Sequence, residues 1–161
     1  MRGFFSKRAA FCLFLPVLAA CSGPDFGDPP PNLCTDDGTR CVSVPVKDLL
    51  AVDGDTFELR RLTETGREER IRLRLIGWDS PETGGAAGCV QEERLGLDTE
   101  ERARELFSAG QTVTFLPDGS DRYGRIRAHV YLDGTHIGWL LSKDGLSRQV
   151  MAGETQVDWC A

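Results

Sequence analysis

Three short stretches of this chain set carboxylates beside residues able to grip a phosphate. They are V-D-G-D-T-F at 52–57, W-D-S-P-E at 78–82 and S-D-R-Y-G-R at 120–125. Singly, each has a plainer reading. Asp53-Gly54 is a hairpin turn signal. D-S-P-E could start a helix with proline in its first position, although Gly84, Gly85 and Gly88 oppose a helix there. D-R-Y-G-R could be a turn ending on a solvated arginine. Together they suit the hydrolysis of a phosphodiester around a hard divalent cation. Asp55, Asp79 and a nearby backbone carbonyl form an oxygen-only ligand set of the kind calcium or magnesium takes. Their spacing is not that of an EF-hand loop, so such a site would be assembled from separate strands. Glu82 could accept the proton of an attacking water, and Arg74 and Arg125 could each hold phosphate oxygens in bidentate fashion.

These residues need elements to bring them together. In I-R-L-R-L-I-G-W-D-S-P-E, residues 71–82, alternation puts Leu73 and Leu75 on one face and Arg72 and Arg74 on the other. Five residues of straight strand cover roughly 16 Å at about 3.3 Å each. Arg74 and Asp79 therefore meet at one phosphate only if the strand bends, and Gly77 is where a bend is expected. Five strands are predicted, in CVSVPV, DTFELRRL, RIRLRLIG, QTVTFL and RIRAHVYL. One helix is predicted over 98–109, with Asp98 as N-cap and Glu101 completing a capping box. A second is predicted over 136–143, with Gly145 as its stop. His129 is placed on the outer face of its strand, His136 near the start of the second helix and Trp139 in the core. This order suggests a small five-stranded barrel of the OB type carrying two helices, an α+β, mainly β domain.

The first twenty residues stand apart. Arg2, Lys7 and Arg8 precede the apolar run Ala9–Ala20, which is too short to span a bilayer, so 1–20 reads as a signal peptide. Leu18-Ala-Ala-Cys21 resembles a bacterial lipobox, in which Cys21 is lipidated; cleavage near Ala20 without lipid is the alternative. Residues 21–40, with Pro29, Pro30 and Pro31, read as an extended tether, and 41–161 as the folded domain. The protein is thus expected to be exported and held in the cell envelope by a lipid anchor, at an outer membrane or facing a periplasm, and otherwise secreted. The chain has 19 basic and 25 acidic residues, a net charge of −6; the leader carries three basic residues and no acidic ones, so without it the balance is −9. That opposes a broad nucleic-acid-coating role, which needs a basic surface. Cys34, Cys41, Cys89 and Cys160 read as two disulfides of an exported domain, with three pairings open. Cys34 with Cys41 and Cys89 with Cys160 is the favoured pairing, the second tying down the tail. No C-x-x-C pair supports zinc.

The set VDGDTF, RLRLIGWDSPE, DRYGRIRAHVYLDG and WLLSKDGL, spread over roughly 42–148, resembles the thermonuclease, or staphylococcal nuclease-like, family. The resemblance implies an OB-fold and a calcium-dependent endonuclease that acts on DNA and RNA and leaves 3′-phosphorylated products. It implies that Asp55, Asp79 and the Ser80 carbonyl hold calcium, with Ser80 where threonine is usual, and that Asp53 is an outer-shell acid. Arg74, Arg125 and Glu82 match the family's catalytic residues, and Arg122 and Tyr123 match positions that hold a substrate phosphate. Two departures stand out. Gln149-Val150-Met151 has no counterpart of a family tyrosine, and ten residues after Met151 leave no room for the family's long C-terminal helix. A nucleic-acid substrate and the membrane are the expected partners, with no obligate protein partner. The rival expectation is an OB-fold lipoprotein that binds nucleic acid or protein without cutting.

Overall fold

A computed structural model describes residues 27–35, 40–151 and 156–161. The proposed leader and Cys21 lie outside the described residues, as does the D-D-G turn between Cys34 and Cys41. The strands are β1 (Val42–Pro45), β2 (Leu49–Ala51), β3 (Thr56–Leu62), β4 (Glu68–Leu75), β5 (Trp78–Asp79), β6 (Thr112–Ser120), β7 (Ile126–Leu132), β8 (Thr135–His136) and β9 (Arg148–Gln149); the helices are α1 (Val90–Ala109) and α2 (Ile137–Ser142). The main sheet runs β1-β6-β7-β4-β3-β2, with β8 beside β7, and β5 pairs only with β9. All its contacts are antiparallel except β4 with β7. This is a curled mixed sheet with two helices, as an OB-type α+β domain requires.

The five expected strands are all present. The added ones are two or three residues long, too short to carry a period-two pattern. The alternation in β4 does what it predicts: Leu73 and Leu75 are buried, Arg72 is exposed and Arg74 is partly covered. Phe57, Leu59, Val113, Phe115, Ala128 and Val130 join the leucines on the inner face, and Ala103, Phe107, Ile137 and Leu141 close the core from the helices. Phe57 meets Phe107 edge to face at 5.5 Å, a favourable aromatic geometry. Trp139 packs against this core only partly buried, whereas Trp78 is buried within it.

The first helix departs from expectation. It begins at Val90 rather than Asp98, so Asp98 is an exposed residue of its interior and no cap. The glycines that oppose a helix all precede Cys89. Cys89 takes the N-cap position, its sulfur accepting from the Glu92 amide at 3.4 Å, while the Glu92 carboxylate accepts from the Gly88 amide at 2.6 Å. Both favoured disulfides are formed, Cys34–Cys41 and Cys89–Cys160. The described part of the proline-rich stretch lies on the domain: Tyr131 Oη accepts from the Leu33 amide at 3.2 Å. Among the described residues no helix follows α2.

α2 starts where predicted, with His136 as its cap. The ring is 2% exposed, and Nδ1 accepts from the Gly138 amide at 3.2 Å. Burial first, and the neighbouring His129 second, hold its pKa down to about 4 from 6.5. The unfolded chain takes up this proton first, so the stabilisation is complete above pH 6.5 and is lost as pH falls towards 4. Thermal melts across that window should show a loss of up to about 3 kcal/mol from this residue. His136→Asn keeps a cap acceptor without a titratable ring and should flatten the slope.

Candidate active site

The V-D-G-D-T-F stretch is a turn that delivers one acid inward. Asp53 Oδ1 accepts from the amides of Asp55 at 3.0 Å and Thr56 at 2.6 Å, an Asx-type closure. Asp55 is thereby driven to 1% exposure at the head of β3, and its carbonyl accepts from the Leu75 amide at 2.8 Å. Gly54 serves close approach: a Cβ there would lie 2.3 Å from Thr99 Cγ2 and 2.5 Å from Ser80 Cβ. The turn is pressed between α1 and the D-S-P-E segment, which the hairpin reading does not require.

Arg74 faces Thr56 across the β3–β4 ladder. Its Nη1 donates to Asp55 Oδ1, and its Nη2 lies 3.9 Å from Asp79 Oδ1. The bend that permits this is at Gly77, where φ is +75°, a left-handed conformation that glycine adopts without strain. Asp79 is 4% exposed. Its carbonyl accepts from Ser147 Oγ at 3.1 Å, and its Oδ2 accepts from the Val157 amide and Trp159 Nε1, each at 3.0 Å. Asp55 Oδ2 and Ser80 Oγ are buried with no hydrogen-bond partner among the described residues. An unsatisfied buried carboxylate oxygen is costly, and a hard cation is the ligand such an oxygen suits. No group of three or more histidine, cysteine or acidic side chains is close enough to form a metal cluster among the described residues. The fit is therefore to a two-carboxylate set.

Arg125 approaches from the start of β7. Asp121 braces it, accepting from its Nε at 2.6 Å and its amide at 2.9 Å, while its Nη1 donates to Thr56 Oγ1 at 3.3 Å. Arg122 and Tyr123 stand exposed beside it; Arg122 Nη2 donates to Tyr123 Oη at 2.6 Å, and the Arg125 guanidinium lies 5.5 Å from the Tyr123 ring. Arg74, Arg125 and Asp79 line one cleft of about 390 Å³, together with Arg127, Val150 and Met151. Burial, and then the Arg125 charge, lower the pKa of Arg74, while Asp53, Glu82 and Asp79 oppose this. Burial raises Asp53, and burial followed by the Asp53 charge raises Glu82. Of the expected residues, Arg74, Asp79 and Arg125 line this cleft; Asp55 pairs with Arg74 behind it, the charges of Asp53 and Glu82 act on Arg74, and Arg122 and Tyr123 stand exposed beside Arg125.

Local patterns do not reveal the bracing residues. Asp121 was visible as an acid in the third stretch, but Val157 and Trp159 reach Asp79 from 78 and 80 residues away. Glu92, whose Oε1 accepts from the Glu82 amide at 3.4 Å, precedes the helix predicted over 98–109 and carried no signal of this role.

A family model for "Staphylococcal nuclease homologue" matches residues 72–158, more than half of the chain. The chain belongs to this family. Three relatives place it further. The SPbeta prophage-derived endonuclease YokF of Bacillus subtilis (strain 168) is 39% identical over 100 residues, covering 61% of this chain and 31% of that protein. The endonuclease YncB of the same organism is 36% identical over 100 residues, covering 61% and 44%. Thermonuclease of Staphylococcus intermedius is 32% identical over 107 residues, covering 60% and 54%. The chain spans under two thirds of the length of each. Within the family match lie Arg74, Asp79, Ser80, Glu82, Arg122, Tyr123 and Arg125; Asp53 and Asp55 precede it, and Trp159 and Cys160 follow it.

Gly96 lets α1 pack closely against the Glu82 backbone. A Cβ at this α1 position would lie 2.4 Å from the Glu82 carbonyl oxygen. Alanine would gain about 1 kcal/mol in helix propensity, yet the clash with fixed backbone costs about 1–3 kcal/mol. Gly96→Ala should therefore lower the urea midpoint, where a helix-propensity effect alone would raise it.

Proposed function

We propose that this protein is a calcium-dependent endonuclease that hydrolyses phosphodiester bonds of DNA and RNA. The observation that carries this reading is the convergence of Arg74, Arg125 and Asp79 on one cleft, with Asp55 paired to Arg74 behind it. Membership of a family whose relatives include named endonucleases supports it.

In this reading the substrate phosphate enters the cleft and takes guanidinium donors from both arginines. Asp121 holds Arg125 so that its remaining donors face the phosphate, and Arg122 and Tyr123 bind an adjoining phosphate at the rim. Glu82 takes the proton from a water whose oxygen attacks phosphorus. The P–O5′ bond breaks and O5′ takes a proton from solvent water, leaving a 3′-phosphate and a 5′-hydroxyl. Charge grows on the phosphoryl oxygens along this path, and two fixed cations stabilise it more than they stabilise the ground state. Asp55, Asp79 and the Ser80 carbonyl would hold a calcium ion, with Asp53 in its outer shell; when bound, calcium supplies charge neutralisation and Lewis acidity at the phosphate.

The two disulfides support an oxidising compartment. We place the protein in the cell envelope, anchored through lipid on Cys21, with nucleic acid as its substrate and no obligate protein partner.

The test is incubation with single-stranded and plasmid DNA in calcium, magnesium or chelator. Cleavage should require calcium and should fall to a small residual rate in Glu82→Gln; retention of DNA at unchanged length would instead establish the binding-module reading. Arg74→Ala and Arg125→Ala should each lose about 3–4 kcal/mol of transition-state stabilisation, read as kcat/KM. Full activity in either variant would refute the assignment.

The pH dependence follows from Glu82. It must be ionised to take a proton, and its pKa is raised above 4.5. The acid limb of a kcat/KM profile should accordingly lie above the ordinary carboxylate range and be absent from the residual rate of Glu82→Gln.

A further inference from the structure

Asp79 sits in a two-residue strand paired only with β9. So short a ladder fixes the backbone but leaves the carboxylate free to turn about its last torsion. What fixes it is the C-terminal tail. Both donors to Oδ2, the Val157 amide and the Trp159 indole N–H at 3.0 Å, come from this segment. With Oδ2 occupied, Oδ1 is the oxygen presented to Arg74. Trp159 is 6% exposed, and its ring lies 5.1 Å from the guanidinium carbon of Arg148, the residue paired with Asp79 across β5–β9.

Residues 156–161 belong to no helix or strand that would hold them in place. The residue after Trp159 ties them down: Cys160 is bonded to Cys89, the cap of α1, across 71 residues of sequence. The same cap region holds the loop of Glu82, because Glu92 accepts from both the Gly88 and Glu82 amides. One covalent bond therefore joins the segment that orients Asp79 to the segment that carries Glu82.

We infer that Trp159, held by the Cys89–Cys160 disulfide, is a positioning residue that aims the Asp79 carboxylate at the cation, making calcium affinity depend on that disulfide. The inference rests on the function proposed above. Hydrogen bonds to metal-ligating carboxylates orient the ligand, and losing one typically weakens metal binding about 10- to 100-fold.

Calorimetric titration of the oxidised protein with calcium, beside its melting midpoint in chelator, tests this. Trp159→Phe keeps an aromatic ring in the buried site and removes only the donor. Its calcium Kd should rise about 10- to 100-fold while the midpoint in chelator stays within a few degrees of the parent; cleavage should recover as calcium is raised. The Cys89→Ser/Cys160→Ser double variant should weaken calcium binding to a similar extent. Trp139→Phe, which removes an indole N–H that bonds none of the described residues, should leave the Kd unchanged. A Trp159→Phe protein that binds calcium as tightly as the parent would overturn the inference while leaving the nuclease intact. A parent that neither binds calcium nor cuts would overturn both.

Discussion

The interaction on which the rest depends is the guanidinium of Arg74 against the buried carboxylate of Asp55, with Asp79 beyond it. A carboxylate at 1% exposure cannot remain ionised without compensating charge and hydrogen bonds. Its compensation comes from the Arg74 side chain and the Thr56 hydroxyl. For Arg74 to reach it, β4 must lie in register with β3; for Asp79 to reach the same guanidinium, the chain must turn at Gly77. The register, the turn and the close packing of Gly54 on Ser80 are therefore one constraint seen from three segments. The same crowding holds Asp53 and Glu82 above the usual carboxylate range and lowers Arg74, so the cluster is frustrated as a protein interior and suited to a cationic ligand and a phosphate.

Such a cluster needs external support, and the disulfides supply part of it. A small domain has little core to spare for holding unfavourable charges together. Here the helix that backs the site is capped by a disulfide cysteine, and the segment that grips Asp79 is bonded to that cysteine through Cys160. The chain's net charge of −6 repels nucleic acid at long range. Arg74, Arg125 and Arg127 set three cations in the cleft beside Asp79 and Asp121, so attraction for a phosphate rests on direct contact with these guanidiniums. Substrate binding on this account should weaken steeply with salt.

What the sequence disclosed follows from range. Leu73, Arg74 and Leu75 declared their faces because alternation is local, and Gly77 declared the bend because five residues of strand could not bring Arg74 to Asp79. The second helix was legible from His136 to its glycine stop. The start of α1 was not, because Cys89 is a rare cap and the glycines before it read as a longer break than they make. β5, β8 and β9 exist only by virtue of their partners. Trp159 lies 80 residues from Asp79, and its role is written only in three dimensions. The motifs name the site residues, whereas the geometry of their bracing belongs to the fold.

The most direct measurement is the melting of Arg74→Met with chelator and with excess calcium. If Arg74 and a bound cation answer the same pair of carboxylates, the variant should lose about 3–5 kcal/mol in chelator, the cost of leaving a buried charge unpaired. Calcium should then return most of that loss, raising the variant's midpoint more than the parent's. A loss of the same size with and without calcium would contradict the account, because the carboxylates behind Arg74 would then hold no cation.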